Sequence, residues 1–167
     1  MPAPGPVEHT AIIALGANLG DRRSSIESAL TRLHAHPAIK VERQSSLLET
    51  RAVGGPPGQP DYLNGAAELS TTLSACDLLK LLMDIEKALG RDRSTPARNL
   101  PRTIDLDLLF YDQVVLAQAD LILPHPRLHE RDFVLIPLME IAPHAVHPVL
   151  RKTIEEMWCD WRRAHPL

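Results

Sequence analysis

Two patterns of apolar residues follow one another near the start of the chain, first a continuous run and then a helical spacing. The apolar run His9–Ala17 is typical of a buried strand. Apolar residues then recur at helical spacing: Ile26, Leu30 and Leu33. Asp21 lies where a helix N-cap belongs, and Pro37 lies where such a helix must end. This part of the chain therefore predicts a strand followed by an amphipathic helix.

The middle of the chain repeats the order of strand and helix. Residues 41–50 and 62–72 alternate loosely between apolar and polar positions, which predicts two strands. Residues 51–60 between them are dense in glycine and proline and must form a loop. Ser74 and Asp77 resemble a capping box, and Gly90 fits the end of the helix that they begin. The apolar stripe of this helix comprises Leu78, Leu81, Leu82, Ile85 and Leu89.

The rest of the chain contains a second long loop, one clear strand and weaker elements. We predict the loop over residues 91–103, a strand over 104–111, short strands over 114–116 and 121–123, and a helix over 153–163. The order strand–helix–strand–strand–helix–strand is that of a ferredoxin-like βαββαβ core. The sequence therefore predicts an α+β fold in which helices pack on a mostly antiparallel sheet.

Composition and charge narrow the class of protein. We expect one domain over residues 9–167, preceded by a flexible, proline-rich tail over residues 1–8. The net charge is −3, whereas proteins that bind duplex nucleic acid usually carry a basic surface. No stretch reaches the ~20 apolar residues of a membrane helix, and the tail is unlike a signal peptide. We therefore expect a cytoplasmic monomer that binds neither nucleic acid nor membrane. Cys76 and Cys159 lie far apart, which predicts reduced, buried thiols.

The sharpest chemical feature is a pair of aspartates beside a basic loop. Asp105 and Asp107 share one face of the predicted strand, because residues i and i+2 point the same way. An isolated pair of this kind is more often a solvated strand face. Here four arginines lie within the twelve residues before the strand: Arg91, Arg93, Arg98 and Arg102. Carboxylates suit Mg²⁺ and arginines suit phosphate oxygens, so the combination favours metal-dependent phosphoryl-group transfer.

Two further clusters carry candidate binding groups. His125 and His129 are four residues apart and allow a zinc pair, but Pro126 and the lack of a third ligand favour phosphate contacts. Tyr62 and Asn64 share a strand face and offer an aromatic surface and a paired donor and acceptor. Such a pair can hold a flat heterocycle, although an aromatic packing residue and a turn asparagine remain the simpler interpretation.

Taken in order, these motifs resemble those of the 6-hydroxymethyl-7,8-dihydropterin pyrophosphokinase family of folate biosynthesis. The similarity runs from residues 11–20 to residues 141–143 and includes three short motifs in the expected order and spacing. They are Pro60-Asp61-Tyr62-Leu63-Asn64, Pro101-Arg102-Thr103-Ile104-Asp105-Leu106-Asp107 and Leu123-Pro124-His125-Pro126-Arg127. Each motif alone is weakly specific, whereas the ordered set is highly specific.

The resemblance implies a ferredoxin-like α/β/α sandwich that uses ATP and two Mg²⁺ ions to transfer pyrophosphate to the pterin. It implies Asp105 and Asp107 as metal ligands. The implied ATP contacts are Arg91, Arg93, Arg98, Arg102, His125 and Arg131, with Arg91, Arg93 and Arg102 also catalytic. The implied pterin contacts are Tyr62, Asn64, Phe133, Thr50 and Val53. Residues 51–60 and 91–103 are expected to act as lids.

The chain departs from many relatives at four positions that bear on ATP contacts and loop motion: Met83, Asn99, Leu100 and Pro126. Two other functions stay open on the residues alone. One is a different Mg²⁺-dependent, nucleotide-using transferase, which would lack affinity for pterin. The other is a non-catalytic RNA-binding module, because ferredoxin-like sheets often present aromatic residues to RNA.

Overall fold

The first part of the chain, through the strand Asp105–Tyr111, follows the predicted order of strands and helices, except that the second predicted strand is divided in two. The computed structural model describes residues 1–90 and 103–167. Residues 1–8 form neither helix nor strand. The strands are β1 (His9–Ala17), β2 (Ile39–Gln44), β3 (Leu48–Thr50), β4 (Tyr62–Thr71), β5 (Asp105–Tyr111), β6 (Leu116–Ala117) and β7 (Ile122–Leu123). The helices are α1 (Arg22–Ala35), α2 (Ala75–Ala88), α3 (Asp132–Ile141) and α4 (Ile154–Ala164), with a 3₁₀ turn over Leu128–Glu130 before α3.

The main sheet has the ferredoxin-like strand order and antiparallel pairing. Its order is β2–β4–β1–β5, and β3 continues the edge beyond β2 by pairing with β4. All four pairings in this sheet are antiparallel. With β2 and β3 counted as one interrupted edge strand, the predicted βαββαβ core is confirmed. The strands β6 and β7 form a separate two-stranded sheet.

The prediction of one continuous edge strand over residues 41–50 is wrong, because the structure has two strands there, β2 and β3. Ser45 interrupts it, because its hydroxyl accepts a hydrogen bond of 2.9 Å from the backbone N–H of Ala66. The next backbone N–H, that of Ser46, donates at 3.0 Å to the Glu140 carboxylate of α3 instead of to a strand. Side-chain groups thus replace backbone partners here, which is a local competition that alternation of apolar and polar residues does not reveal.

Helices cover both faces of the sheet, which confirms the α/β/α sandwich. On one face α1 and α2 pack on residues from β1, β4 and β5, and the fully buried residues of this core include Ile13, Leu33, Leu69, Leu78 and Leu82. On the other face α3 and α4 pack on a smaller apolar set, which includes Ile12, Leu109, Leu135, Leu138 and Ile154. The sheet therefore separates two cores.

The predicted helix starts are confirmed by their capping contacts. The Asp21 carboxylate accepts from the Ser24 N–H at 3.0 Å and begins α1. The Ser74 hydroxyl accepts from the Asp77 N–H at 3.1 Å and begins α2. Thr153 and the third residue of α4 form a reciprocal capping box. Each side chain satisfies an N–H group that has no partner within the helix.

Three sequence expectations differ from the structure. Helix α3 was not predicted, because it is apolar almost throughout, lacks a polar stripe and contains Pro137. Burial against the sheet and α4, and not a regular spacing of apolar residues, stabilises this segment as a helix. Cys76 and Cys159 are exposed, so the prediction of buried thiols is wrong. Each lies on the outer side of an amphipathic helix, where the spacing of neighbouring apolar residues, and not the residue type, sets exposure. The strand predicted over residues 114–116 is displaced to Leu116–Ala117.

Within residues 1–90 and 103–167, no helix has the length and apolar character needed to cross a membrane.

Candidate active site

A cavity of about 470 Å³ opens where the sheet face extends beyond α3 and α4. On β1, Ile12 lies under the helices, whereas Ala14 and Gly16 further along the same face line the cavity. On β4, Ala66 lies in the helix-covered core and Asn64 lines the cavity. The site is therefore the uncovered end of one sheet face.

The two aspartates lie on the floor of this cavity at the start of β5. Asp105 is paired with Gly16 of β1, and Asp107 is paired with Ala14. Both carboxylates are half-buried, while Leu106 between them points into the opposite core with 3% exposure. The predicted shared face is therefore confirmed. The small neighbours on β1 leave the space above the floor open.

A buried carboxylate fixes the backbone between the aspartates. Glu86, near the end of α2, is 1% exposed and accepts a hydrogen bond of 2.8 Å from the backbone N–H of Leu106. Glu86 therefore ties α2 to the segment that carries Asp105 and Asp107.

Residues of β3 and β4 form an aromatic and polar wall. Asn64 is buried, and its Nδ2 donates a hydrogen bond of 2.6 Å to the hydroxyl of Thr50 on β3. Thr50 is paired with Tyr62, which also lines the cavity. The Asn64–Thr50 contact fixes the amide orientation, so the carboxamide oxygen faces Gly16. Val53 lines the same wall from the loop after β3, with 72% exposure.

A second wall comes from the segment after β7 and from the start of α3. Phe133 is the second residue of α3, and the guanidinium carbon of Arg131 lies 5.7 Å from its ring centroid. That distance is within the range of a cation–π contact. The backbone N–H of His125 donates to the Leu109 carbonyl at 2.9 Å, which ties this segment to β5. Phe133, Arg131 and His125 therefore line the same cavity as the two aspartates.

The environment of His125 favours its neutral form. Burial lowers the pKa of this imidazole most, and the nearby charge of Arg131 lowers it further, while Asp105 opposes the shift. Its Nδ1 accepts a hydrogen bond of 3.3 Å from the Arg127 N–H. In the neutral ring the proton must then be on Nε2, which can donate a hydrogen bond.

Charges of both signs line the cavity. The cations are Arg51, Arg127 and Arg131, and the carboxylates are Asp105, Asp107, Glu130 and Asp132. Arg127 is partly neutralised by Glu130, whose carboxylate lies 3.1 Å from its Nε. Such a mixture suits a polyanionic ligand that arrives with a cation, because both the ligand and its metal find opposite charges.

The donor set on the floor fits Mg²⁺ better than zinc. Two carboxylates suit an ion that keeps water and phosphate oxygens as its other ligands. Structural zinc requires four protein ligands and catalytic zinc usually three. Over the described ranges 1–90 and 103–167, no group of three His, Cys, Asp or Glu side chains is placed to hold a metal.

Nine of the thirteen predicted site residues line this one cavity: Thr50, Val53, Tyr62, Asn64, Asp105, Asp107, His125, Arg131 and Phe133. The other four lie outside the described residues: Arg91, Arg93, Arg98 and Arg102. Sequence reasoning missed several lining residues: Gly16, Arg51, Gln59, Glu130 and Asp132. Their adjacency to recognised residues was the available signal, since Gln59 directly precedes the motif that begins at Pro60, and Asp132 directly precedes Phe133.

Solved structures with a similar fold include HPPK-DHPS proteins. A crystal structure of Plasmodium falciparum HPPK-DHPS with pteroate superposes with a TM-score of 0.73 at 15% identity over 98% of this chain. Another, with pterin and p-hydroxybenzoate, gives a TM-score of 0.74 at 15% identity. This chain spans 44% and 46% of those chains. At such identity the likeness establishes the fold.

Similarity in sequence establishes the family. A protein of Synechocystis named 2-amino-4-hydroxy-6-hydroxymethyldihydropteridine pyrophosphokinase is 44% identical over 149 residues, which are 89% of this chain and 74% of that protein. The protein of the same name from Bacillus subtilis is 44% identical over 136 residues, 81% of this chain and 80% of that protein. A family model matches residues 12–143. The chain therefore belongs to the 7,8-dihydro-6-hydroxymethylpterin-pyrophosphokinase (HPPK) family.

Proposed function

We propose that the cavity is the active site in which this chain carries out the reaction of its family. The chain transfers pyrophosphate from ATP to the hydroxymethyl group of 6-hydroxymethyl-7,8-dihydropterin, a step of folate biosynthesis. The observation that carries this assignment to the site is one cavity lined by Asp105 and Asp107 together with Tyr62, Asn64 and Phe133. Residues suited to bind a metal ion and residues suited to bind an aromatic ring thus line one cavity, which could hold ATP and the pterin together.

The pterin would bind between the two walls of the cavity. We propose that Tyr62 and Phe133 stack on the two faces of the ring, because flat aromatic surfaces pack favourably in offset stacks. Asn64 would bond the polar edge of the ring through its carboxamide, which Thr50 holds in one orientation. The backbone near Thr50 and Val53 would complete the edge contacts. A buried polar group that requires its partner discriminates strongly against rings lacking it.

The triphosphate would bind towards the arginines and the aspartates. We propose that Asp105 and Asp107 hold two Mg²⁺ ions, which when bound neutralise phosphate charge and align reactants. Neutral His125 would donate from Nε2 to a phosphate oxygen, and Arg131 would add a charge-assisted bond. The resemblance adds Arg91, Arg93, Arg98 and Arg102 as further ATP contacts, and these lie outside the described residues.

The proposed reaction is an in-line substitution at the β-phosphorus of ATP. The pterin hydroxymethyl oxygen forms the new O–P bond, the bond between the α,β-bridging oxygen and the β-phosphorus breaks, and AMP leaves with that oxygen. The alcohol releases its proton. The protein's own part is positioning: stacked aromatics and the Asn64 amide orient the alcohol, and cationic side chains hold the phosphates. We further propose that the chain works in the cytoplasm as a monomer.

The test is to incubate the chain with ATP, Mg²⁺ and 6-hydroxymethyl-7,8-dihydropterin and to separate the nucleotides. We expect AMP to form in step with pterin consumption. Formation of ADP would indicate a simple kinase that attacks the γ-phosphorus. Absence of nucleotide turnover in a folded sample would contradict the proposed function. Light scattering of the same sample measures whether the chain is a monomer.

A further inference from the structure

We propose that Asn18 and Arg22 are positioning residues that hold one wall of the pterin pocket in place. Both belong to the turn from β1 to the start of α1, and both contact the loop over residues 51–61, which joins β3 to β4. This pair is called the loop clamp below. The assignment to the pterin pocket rests on the proposed function, whereas the contacts themselves do not.

Asn18 forms the inner arm of the loop clamp. It is 1% exposed, and its Nδ2 donates to the Pro60 carbonyl at 3.2 Å and to the Gln59 carboxamide oxygen at 3.4 Å. Gln59 Nε2 in turn donates to the Gly54 carbonyl at 3.0 Å. Because a buried amide needs hydrogen-bond partners, these two bonds favour the position in which the loop lies against the turn. The chain of bonds ends at Gly54, which lines the cavity.

Arg22 forms the outer arm and joins both ends of the loop. One of its terminal nitrogens lies 2.8 Å from the Glu49 carboxylate on β3, just before the loop. The other donates at 2.8 Å to the carbonyl of Asp61, the last residue of the loop. A guanidinium is planar and rigid, so contacts from its two nitrogens fix the spacing of the two loop ends.

The energetics point to positioning more than to global stability. The side chains of Arg22 and Glu49 are 29% and 59% exposed, and exposed ion pairs contribute little to folding. The loop, however, has three glycines at positive φ: Gly54, Gly55 and Gly58. Glycine-rich segments lose much conformational freedom when they are ordered. A loop that is already held in place loses less of it on binding a ligand.

The loop clamp therefore acts on one substrate. Five residues between Thr50 and Gln59 line the cavity wall at the pterin end: Thr50, Arg51, Val53, Gly54 and Gln59. The proposed phosphate contacts, His125 and Arg131, lie outside this loop. Loss of the clamp should weaken pterin binding and leave ATP binding and the chemical step nearly unchanged. A residue needed only for folding would not separate the two substrates in this way.

The experiment compares Arg22→Ala with Arg23→Ala, an exposed arginine on the same turn of α1. We expect Arg22→Ala to raise the KM for 6-hydroxymethyl-7,8-dihydropterin by about tenfold, with kcat and the KM for ATP within about twofold of the parent. Arg23→Ala should match the parent. Arg22→Lys should fail to restore the pterin KM, because an ammonium group lacks the rigid fork. An unchanged pterin KM in Arg22→Ala overturns the proposal, as does an equal change for both substrates.

Hydrogen–deuterium exchange tests the clamp without turnover. Exchange in residues 51–61 should be faster in Arg22→Ala than in Arg23→Ala, and faster still in Asn18→Ala. Because Asn18→Ala removes a buried amide and can unfold the chain, Arg22→Ala is the deciding variant. If the parent forms no AMP, the proposed function fails and the exchange experiment still tests the contacts. Unchanged exchange in Arg22→Ala overturns the clamp whether or not AMP forms.

Discussion

Gly16 lies so close to Asn64 that a Cβ on the glycine would sit 3.1 Å from the Asn64 carboxamide oxygen. The asparagine cannot easily retreat, because its Nδ2 is bonded at 2.6 Å to Thr50. The same Cβ would lie 3.8 Å from the Tyr62 ring and 4.0 Å from the Cβ of Asp105. One missing side chain on β1 thus keeps the proposed pterin edge and the aspartates clear of each other.

We expect Gly16→Ala to weaken pterin binding with little effect on stability. Alanine gains about 0.5–1 kcal/mol over glycine inside a strand, which offsets part of the crowding. Crowding by the added Cβ would shift the Asn64 carboxamide away from the ring edge that it is proposed to bond, so the affinity for pterin should fall about tenfold, which is about 1.4 kcal/mol. Fluorescence titration with 6-hydroxymethylpterin measures this. Gly5→Ala is the control, since no atom lies within 4 Å of the Cβ that it adds. Equal affinities in the two variants would contradict the role of Gly16.

Replacing either floor aspartate should abolish most turnover. Asp105→Asn and Asp107→Asn keep the shape of the side chain but remove the charge that would hold Mg²⁺, and we expect a loss of about 100-fold or more in AMP formation. The control is Asp112→Asn, just beyond β5 at its far end, where Asp112 contacts His9. Asp112 has a φ of 47°, which asparagine adopts readily. Near-normal turnover in either floor variant would show that the metal assignment is wrong.

The main sheet and the placing of Asp105 and Asp107 follow from local sequence patterns, whereas the resemblance to the family supplied Thr50, Val53, Arg131 and Phe133. Alternation along β5 places Asp105 and Asp107 on one face, and a run of apolar residues gives β1 its bounds. The missed features depend on contacts between distant segments. Ser45 ends β2 through bonds to Ala66, which is 21 positions away. Helix α3 has no periodicity of its own and is defined by what it covers.

The role of small residues was also invisible in the sequence. Gly16 resembles many glycines at strand ends until the register pairs it with both Asn64 and Asp105. Similarly, the buried state of Asn18 becomes evident only once the 51–61 loop is folded against it. Strand pairing and loop packing bring together residues that are far apart in the chain. The spacing of apolar residues in the sequence predicts only which near neighbours share a face.

Glu86 should be needed for stability through the backbone of β5. Glu86→Ala leaves the buried N–H of Leu106 without the acceptor it now has at 2.8 Å, and such a loss costs about 1–3 kcal/mol. Glu86→Gln keeps an acceptor oxygen and should lose less. Asp84→Ala, at an exposed position of the same helix, is the control. Urea unfolding measures all three free energies. A stability of Glu86→Ala equal to that of Asp84→Ala would contradict the contact.

His147 should make the folded state less stable in mild acid. This side chain is 4% exposed, and its Nδ1 accepts backbone hydrogen bonds from Val149 at 3.2 Å and Leu150 at 3.0 Å. Burial lowers its pKa first, and the neighbouring His129, whose ring centroid lies 6.2 Å away, lowers it further. Protonation of Nδ1 would break both backbone bonds. The neutral imidazole is therefore the form that the fold requires.

The sign of the pH effect follows from this lowered pKa. The unfolded chain takes up a proton on His147 below about pH 6.5, while the folded chain takes it up only at lower pH. Between these two values the unfolded state binds more protons, so stability is fully present above about pH 6.5 and falls as the pH drops. Asparagine offers a carboxamide oxygen as acceptor and does not titrate. His147→Asn should therefore flatten this part of the profile.

Urea unfolding at several pH values between about 7 and 5 measures the effect across the range in which an ordinary histidine titrates. His144→Asn removes an exposed histidine from the same segment and is the matched control. The parent and His144→Asn should lose stability with similar slopes, and His147→Asn should lose less. The difference between the parent and His147→Asn measures the effect of His147, and the difference between the parent and His144→Asn measures the effect of losing an exposed histidine. Parallel slopes in both variants would mean that His147 does not keep a lowered pKa in the folded chain.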